Sequence, residues 1–171
     1  MLSLIALAMA ATSPSLTTPS PEASPLVATT PWWERVTRTI SSDGTEQSCR
    51  YESSLGQISE PECEASGEAG KPASRFTKLT YERRFAPGAP DMGKLQPGDK
   101  LLGSQVMMIN INAAGAVDGC KVVVTSGDSL PAYGCDEAKA EKFLTGAEVG
   151  EEAGRWAYMT ILVYGHVEQI A

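Results

Sequence analysis

The stretch that decides the predicted fold begins with Gln-Val-Met-Met-Ile-Asn-Ile-Asn at residues 105–112 and ends with Trp-Ala-Tyr-Met-Thr-Ile-Leu-Val-Tyr-Gly-His-Val at residues 156–167. Between these two apolar runs lies a second strand-like run, Val117 to Thr125, followed by an acidic segment from Cys135 with helical character. The pattern therefore predicts the order strand, turn, strand, helix, strand.

The last of these strands has the clearest alternation of side chains. One face would carry small and aliphatic residues, which suits a face covered by a helix: Ala157, Met159, Ile161, Val163, Gly165 and Val167. The other face would carry amphipathic and aromatic residues, which suit contact with solvent or a partner: Trp156, Tyr158, Thr160, Leu162, Tyr164 and His166.

The helix is expected from Cys135 to about Phe143, because Asp136 and Glu137 would lie in its first turn, where the helix dipole favours acids. If Cys120 bonds to Cys135, Cys120 must face the helix. Alternation would then put Val122 and Val124 on the same covered face.

The four cysteines indicate disulfides and an oxidising compartment. Three pairings are possible. We favour Cys49 with Cys63 and Cys120 with Cys135, since each pair falls within one local unit; loops of this length contribute about 3 kcal/mol each. Zinc is the alternative, but the sequence has no Cys-x-x-Cys and a single histidine. No metal or other cofactor is expected.

The chain is acidic, with a net charge of −7 and a pI near 4.8, and its longest basic cluster is Arg83-Arg84. Nucleic-acid binding and binding to an anionic membrane are therefore not expected. The only strongly apolar run, Leu2 to Ala11, is too short for a membrane-spanning helix, which needs about 20 residues.

That apolar run ends in Ala8-Met9-Ala10, which is typical of a secretory signal peptide cleaved after Ala10, although no Lys or Arg precedes the run. The alternative is a frayed hydrophobic N-terminus. We expect the signal peptide at residues 1–10 and a Ser/Thr/Pro-rich tether at residues 11–31. The protein would then be exported to the periplasm.

Two β-rich units should follow the tether. The first, at 32–95, would contain a hairpin around the turn 42–45 and a further strand at 76–85, forming a small antiparallel β unit. Prolines on both sides of residue 95 place a soft boundary there. The second unit would be residues 96–171.

This second unit resembles the C-terminal domain of TonB energy transducers, in particular the cysteine-containing variants. The resemblance is carried by Gly115-Ala116-Val117, the Val-Val-Val-Thr-Ser-Gly of residues 122–127, the helix end Lys142-Phe143, and the terminal apolar strand, with Cys120 and Cys135 at matching positions. It implies an α+β fold with three antiparallel strands and one covering helix. Two segments depart from the family pattern: 130–133 before the helix and 143–146 after it.

The resemblance also implies binding of a partner's extended segment along the last strand, but not energy transduction, because the transducer's membrane helix is not expected here. An exposed strand edge offers unpaired N–H and C=O groups for such pairing. If the last strand is the edge, four side chains would flank the partner, an envelope protein or a second copy of the chain: Tyr158, Thr160, Leu162 and Tyr164. The alternative is that these residues pack on the N-terminal unit, for instance on Trp32, Trp33 or Tyr81.

No catalytic site is expected. His166 is the only histidine and has no adjacent Ser or Cys nucleophile, and the segment 67–72 lacks the first glycine and the hydroxyl residue of a phosphate-binding loop. The sequence therefore favours a non-catalytic protein-binding module of the cell envelope. A structural or accessory envelope protein without an exposed binding strand is the alternative, followed by a hydrolase or redox enzyme.

Overall fold

The structure, a computed structural model, describes residues 26–42, 46–56, 58–59, 76–129, 133–145 and 155–167. Its elements, in chain order, are β1 (Leu26–Val27), β2 (Trp32–Ile40), β3 (Glu46–Ser53), β4 (Ile58–Ser59), β5 (Lys78–Pro87), β6 (Asp99–Ile111), β7 (Val117–Gly127), α1 (Cys135–Ala140), β8 (Phe143–Leu144) and β9 (Arg155–His166).

Most of the described chain belongs to one antiparallel sheet. Within the described residues, seven strands follow the order β4-β3-β2-β5-β9-β6-β7, and β1 and β8 form a separate parallel pair. The prediction of a three-stranded α+β sheet with one covering helix, preceded by a separate small β unit, is wrong. β9 pairs with β5 on one side and with β6 on the other, so both of its edges are hydrogen-bonded and the two predicted units share one sheet.

The sequence segment just before β2 also belongs to the folded part. Residues 26–31 belong to the predicted tether, yet Leu26 and Ala28 are buried and Leu26 pairs with Phe143. The indole N–H of Trp32 donates to the carbonyl of Val27 at 2.8 Å. Residues 1–25, which include the predicted signal peptide and most of the tether, lie outside the described part of the chain.

The main core lies on the face of the sheet that carries α1, which we call the helix face. Phe85 stacks on Trp32 and meets Phe143 at a tilt, with 5.4 Å between ring centroids in each pair. Around these rings pack the buried inward side chains of the central strands: Met107, Ile109, Ile111, Ala157, Met159 and Ile161. Their burial removes apolar surface from water and stabilises the sheet against α1 and β8.

The turn between β6 and β7 fixes the position of β8. Asn112 accepts hydrogen bonds from the N–H groups of Ala114 and Ala116 through its side-chain oxygen. Gly115 has φ of +77°, and a Cβ there would lie 1.9 Å from the carbonyl oxygen of Phe143. Only glycine therefore allows the close approach, which places the N–H of Phe143 2.8 Å from the carbonyl of Gly115.

α1 begins at Cys135, as the acidic first turn indicates, but it ends at Ala140 instead of near Phe143. Phe143 belongs to β8, which pairs with β1. This distant pairing overrides the local helical pattern because it buries Phe143 in the core.

Candidate functional site

The four residues predicted to flank a bound partner lie on an interior strand. Thr160, Leu162 and Tyr164 are buried, and Tyr158 is half-buried. Because β9 is hydrogen-bonded on both sides, its backbone has no free edge for a partner strand. The predicted site requires that the last strand be an edge strand. β9 is an interior strand, so this requirement is not met.

Tyr164 and its neighbours instead form a buried polar cluster on the face of the sheet opposite α1, which we call the polar face. The Tyr164 hydroxyl donates to Glu82 at 2.8 Å, and Arg84 pairs with the other oxygen of the same carboxylate. Burial, followed by the hydrogen bond to Glu82, raises the pKa of Tyr164. Arg84 also binds Asp91 at 2.8 Å, which attaches the connection between β5 and β6 to this face.

A second polar cluster on the helix face surrounds Arg83. Its guanidinium donates to Glu34 from β2 and to Glu141 just after α1, and it lies 5.3 Å from the Trp32 ring and 5.1 Å from the Tyr133 ring. Burial alone would lower the pKa of Arg83, but the two carboxylates outweigh it and raise the pKa. The contacts on all sides identify Arg83 as a structural link between the sheet and α1.

One of the two predicted disulfides is confirmed. Cys120 in β7 is bonded to Cys135 at the start of α1, with 5.6 Å between their Cα atoms. Cys49 is also disulfide-bonded, while Cys63, its predicted partner, lies outside the described residues. The Cys120–Cys135 bond holds the first half of β7 against the helix.

β7 forms one edge of the sheet. In the described part of the chain β7 pairs with β6 alone, and residues 121–127 are exposed along the whole second half of the strand. Three consecutive valines, Val122, Val123 and Val124, have exposed fractions of 41%, 42% and 52%. Exposed β-branched residues on a strand with an unpaired edge are typical of a surface that accepts another strand.

A β-bulge interrupts this edge. Val106 is opposite Val124 and Met107 is opposite Val122, so Val123 has no opposite residue in β6. The bulge turns Val124 onto the polar face, while Val122 stays on the helix face. The prediction that Val122 and Val124 share one covered face is therefore wrong, and simple alternation contained no signal for the bulge.

His166 lies at the end of β9, and its ring makes one polar contact among the described residues. Its Nδ1 is 2.8 Å from Asp99, a buried carboxylate on the adjacent β6, and no Ser or Cys in the described residues bonds to the ring. The described residues also contain no group of three or more His, Cys, Asp or Glu side chains that could hold a metal ion.

No helix among the described residues has the length and apolarity needed to cross a membrane. Comparison of the chain with protein-family models, with curated proteins and with solved structures gave no match in any of the three. The candidate site therefore rests on geometry, and the geometry favours the edge of β7.

Proposed function

We propose that this protein is a non-catalytic protein-binding module of an oxidising, extracytoplasmic compartment, and that it binds an extended segment of another polypeptide along the edge of β7. The observation that supports this proposal is the exposure of Val122, Val123 and Val124 on β7, an eleven-residue strand that has no partner on its outer side in the described chain. A partner strand would gain backbone hydrogen bonds from the edge and apolar contacts from the valines.

The anchoring of β7 supports this role. The bond from Cys120 to Cys135 and the long pairing with β6 hold the strand in place before a partner arrives. A preformed edge loses less conformational entropy on binding than a flexible segment would. The disulfide also fits the proposed compartment, since such bonds persist in oxidising surroundings.

The charges along β7 favour a different polypeptide over a second copy of this chain. A symmetric antiparallel pairing of two β7 strands centred on Val123 would place Asp118 opposite Asp128, and like charges directly opposite each other are destabilising. The bulge at Val123 would fall on the symmetry axis of that pairing. The proposed partner segment is therefore heterologous, extended and rich in β-branched or aromatic residues.

Site-specific photo-crosslinking in the cells that produce the protein tests this proposal. A crosslinkable residue is placed at Val123 or Val124, and at Leu144 as a control, because Leu144 has a similar exposed fraction of 53% but lies outside the main sheet. We expect a heterologous adduct at the β7 positions that is missing at Leu144. The adduct peptide, synthesised alone, should bind the purified protein.

The variant Val124→Lys provides the second part of the test, because an edge lysine opposes strand addition and an exposed position tolerates the charge. Binding of the peptide should weaken at least about 10-fold, as expected for the loss of an apolar anchor and the desolvation of a charge. Equal adduct yields at Leu144, or unchanged binding by a folded Val124→Lys variant, would contradict the proposal.

A further inference from the structure

A row of three residues crosses the polar face near the turn between β6 and β7. The strand registers place Trp156 of β9 opposite Asn110 of β6, and Asn110 opposite Gly119 of β7. Side chains in one row point to the same side of the sheet. Because Gly119 has no side chain, this row ends at the edge of the sheet in bare backbone.

The Trp156 indole reaches across this row toward the edge, and its exposed fraction is 54%. A Cβ added to Gly119 would lie 3.8 Å from Cη2 of the indole and 3.2 Å from Cβ of Asn110. The outer end of the ring is therefore within van der Waals reach of the edge strand. A partner residue paired with Gly119 would direct its side chain to the same face, where it would meet the indole.

Two charged side chains flank this position in β7. Asp118 is exposed, and its Oδ1 accepts a hydrogen bond from the side-chain N–H of Asn110 at 2.8 Å. Its Oδ2 makes no hydrogen bond within the part of the chain that the structure describes. Lys121 is also exposed, lies opposite Met108 on the polar face, and makes no ion pair with any described residue. Both charges are therefore available to a partner.

The indole and the carboxylate together favour a guanidinium over Gly119. Aromatic rings attract cations, and the indole of Trp gives the strongest such contact. A carboxylate accepts charge-assisted hydrogen bonds from the same cation. An apolar side chain in this place would instead remove water from Asp118 without replacing its hydrogen bonds. The position therefore suits an arginine of the partner better than an aromatic residue.

We propose that the segment bound at the β7 edge runs antiparallel to β7, with an arginine opposite Gly119 and a glutamate or aspartate opposite Lys121. This inference rests on the proposed function, since it names the side chains that the same edge selects. Antiparallel pairing is the more stable arrangement per residue. In an antiparallel partner the acidic residue precedes the arginine, so the recognised pattern is Glu/Asp-x-Arg.

Two capped peptides of identical composition test this order. The first is Thr-Val-Glu-Val-Arg-Val-Thr, and the second, with the two charged residues exchanged, is Thr-Val-Arg-Val-Glu-Val-Thr. Each is titrated into the isotope-labelled full chain and followed by two-dimensional NMR. We expect the first peptide to bind at least about 5-fold more tightly, because it alone combines the cation–π contact with an opposite-charge pair across the strands.

Two further peptides test the guanidinium itself. Citrulline in place of the arginine keeps the shape of the side chain and removes its charge, and should weaken binding about 3-fold. Phenylalanine in the same place keeps a large side chain without a cation and should also bind less tightly than arginine.

Three variants of the protein locate the contacts. Trp156→Ala should weaken binding of the first peptide about 3-fold and affect the citrulline peptide less. Lys121→Glu should remove the preference between the first two peptides, because it replaces an attractive cross-strand pair with a repulsive one. Lys100→Glu makes the same charge change at an exposed position of β6 far from Gly119 and should leave the preference unchanged.

Equal binding of the first two peptides, or tighter binding of the second or of the phenylalanine peptide, would overturn this inference. If Val124→Lys weakens those peptides nevertheless, the function proposed for the edge is retained. If it does not, that function fails as well. The absence of saturable shifts with the first peptide at millimolar concentrations would also overturn the inference, whereas crosslinking at Val123 and Val124 tests the edge separately.

Discussion

At the scale of single residues, Arg83 shows how charges are tolerated beneath the helix. Its guanidinium is enclosed by Glu34, Glu141 and two aromatic rings, and its side chain is only 21% exposed. Removing Arg83 would leave two poorly exposed carboxylates without their cation, although each still accepts a hydrogen bond from a tyrosine hydroxyl. The net attraction between these charges therefore adds little to stability. The cost of breaking the cluster is larger, because a buried charge is then left uncompensated.

We expect Arg83→Met to lower the free energy of unfolding by about 3 kcal/mol, because two poorly exposed carboxylates lose their cation. Arg50→Met, at an exposed position on the polar face, should change it by no more than about 0.5 kcal/mol. Urea unfolding followed by tryptophan fluorescence measures both variants. Equal stability of the two variants would show that Arg83 is not a structural link.

Tyrosines make the protein sensitive to alkaline pH. Burial, followed by the charge of Glu34, raises the pKa of Tyr51 to about 12, and burial is also the largest cause of the raised pKa values of Tyr81, Tyr133 and Tyr164. A raised pKa means that above about pH 10 the unfolded chain has lost protons that the folded chain still holds. The free energy of unfolding should therefore fall as pH rises from about 10 to 12.

Tyrosinate absorbance and circular dichroism, recorded together during an alkaline titration, check this expectation. Most tyrosines should ionise together with unfolding, and Tyr51→Phe should make the fall in stability with pH less steep. Ionisation of all tyrosines near pH 10 in a protein that stays folded would contradict it.

At the scale of elements, α1 depends on its disulfide. The helix has six residues, of which only Ala138 is buried, and isolated helices of that length are not stable in water. Its first turn is supported by a hydrogen bond from the N–H of Gly134 to Glu137 at 2.8 Å. The bond to Cys120 attaches the helix to β7 more firmly than the burial of Ala138 alone would.

The double variant Cys120→Ala with Cys135→Ala should lower the free energy of unfolding by about 3 kcal/mol, the value for a closed loop of about 15 residues. Amides of α1 should lose protection from hydrogen exchange before those of the sheet, since the disulfide is what attaches this short helix to β7. This variant leaves the disulfide of Cys49 intact, which chemical reduction would not. Unchanged protection in α1 would show that packing alone holds the helix.

Much of the element pattern could be predicted from the sequence. The apolar runs at 105–112, 117–125 and 156–167 lie within or largely overlap β6, β7 and β9, and the helix starts at the predicted cysteine. The end of α1 and the bulge at Val123 could not be predicted, because both depend on residues distant in the chain: β1 pairs with β8, and β6 sets the register of β7. Local alternation contains no information about either pairing.

At the scale of the whole molecule, β9 joins the two halves of the chain. Twelve residues long, it lies between β5 from the first half and β6 from the second. Its alternating sequence predicted two different faces, and this is correct, but alternation describes faces and not edges. An edge strand and an interior strand with one polar face have the same alternation of side chains. The sequence therefore could not show that the predicted binding residues lie on an interior strand.

At this scale, the polar residues on β9 lie against residues from distant parts of the chain, although the buried Thr160 hydroxyl has no hydrogen-bond partner among the described residues. Tyr164 is bonded to Glu82, a residue 82 positions earlier in the chain. Thr160 lies opposite Arg84 on one side and Val106 on the other. These neighbouring residues come from both halves of the chain. Neither predicted unit alone therefore contains all the residues that surround Tyr164 and Thr160.

The central claim, that β9 is interior and β7 is an edge strand, is tested most directly by residue-resolved amide hydrogen exchange of the native protein. We expect amides from Met159 to Val163 to be among the slowest to exchange, with protection that reflects global unfolding. Along residues 121–127, the amides that point away from β6 should exchange much faster. Fast exchange throughout β9 together with uniform protection of β7 would contradict the account.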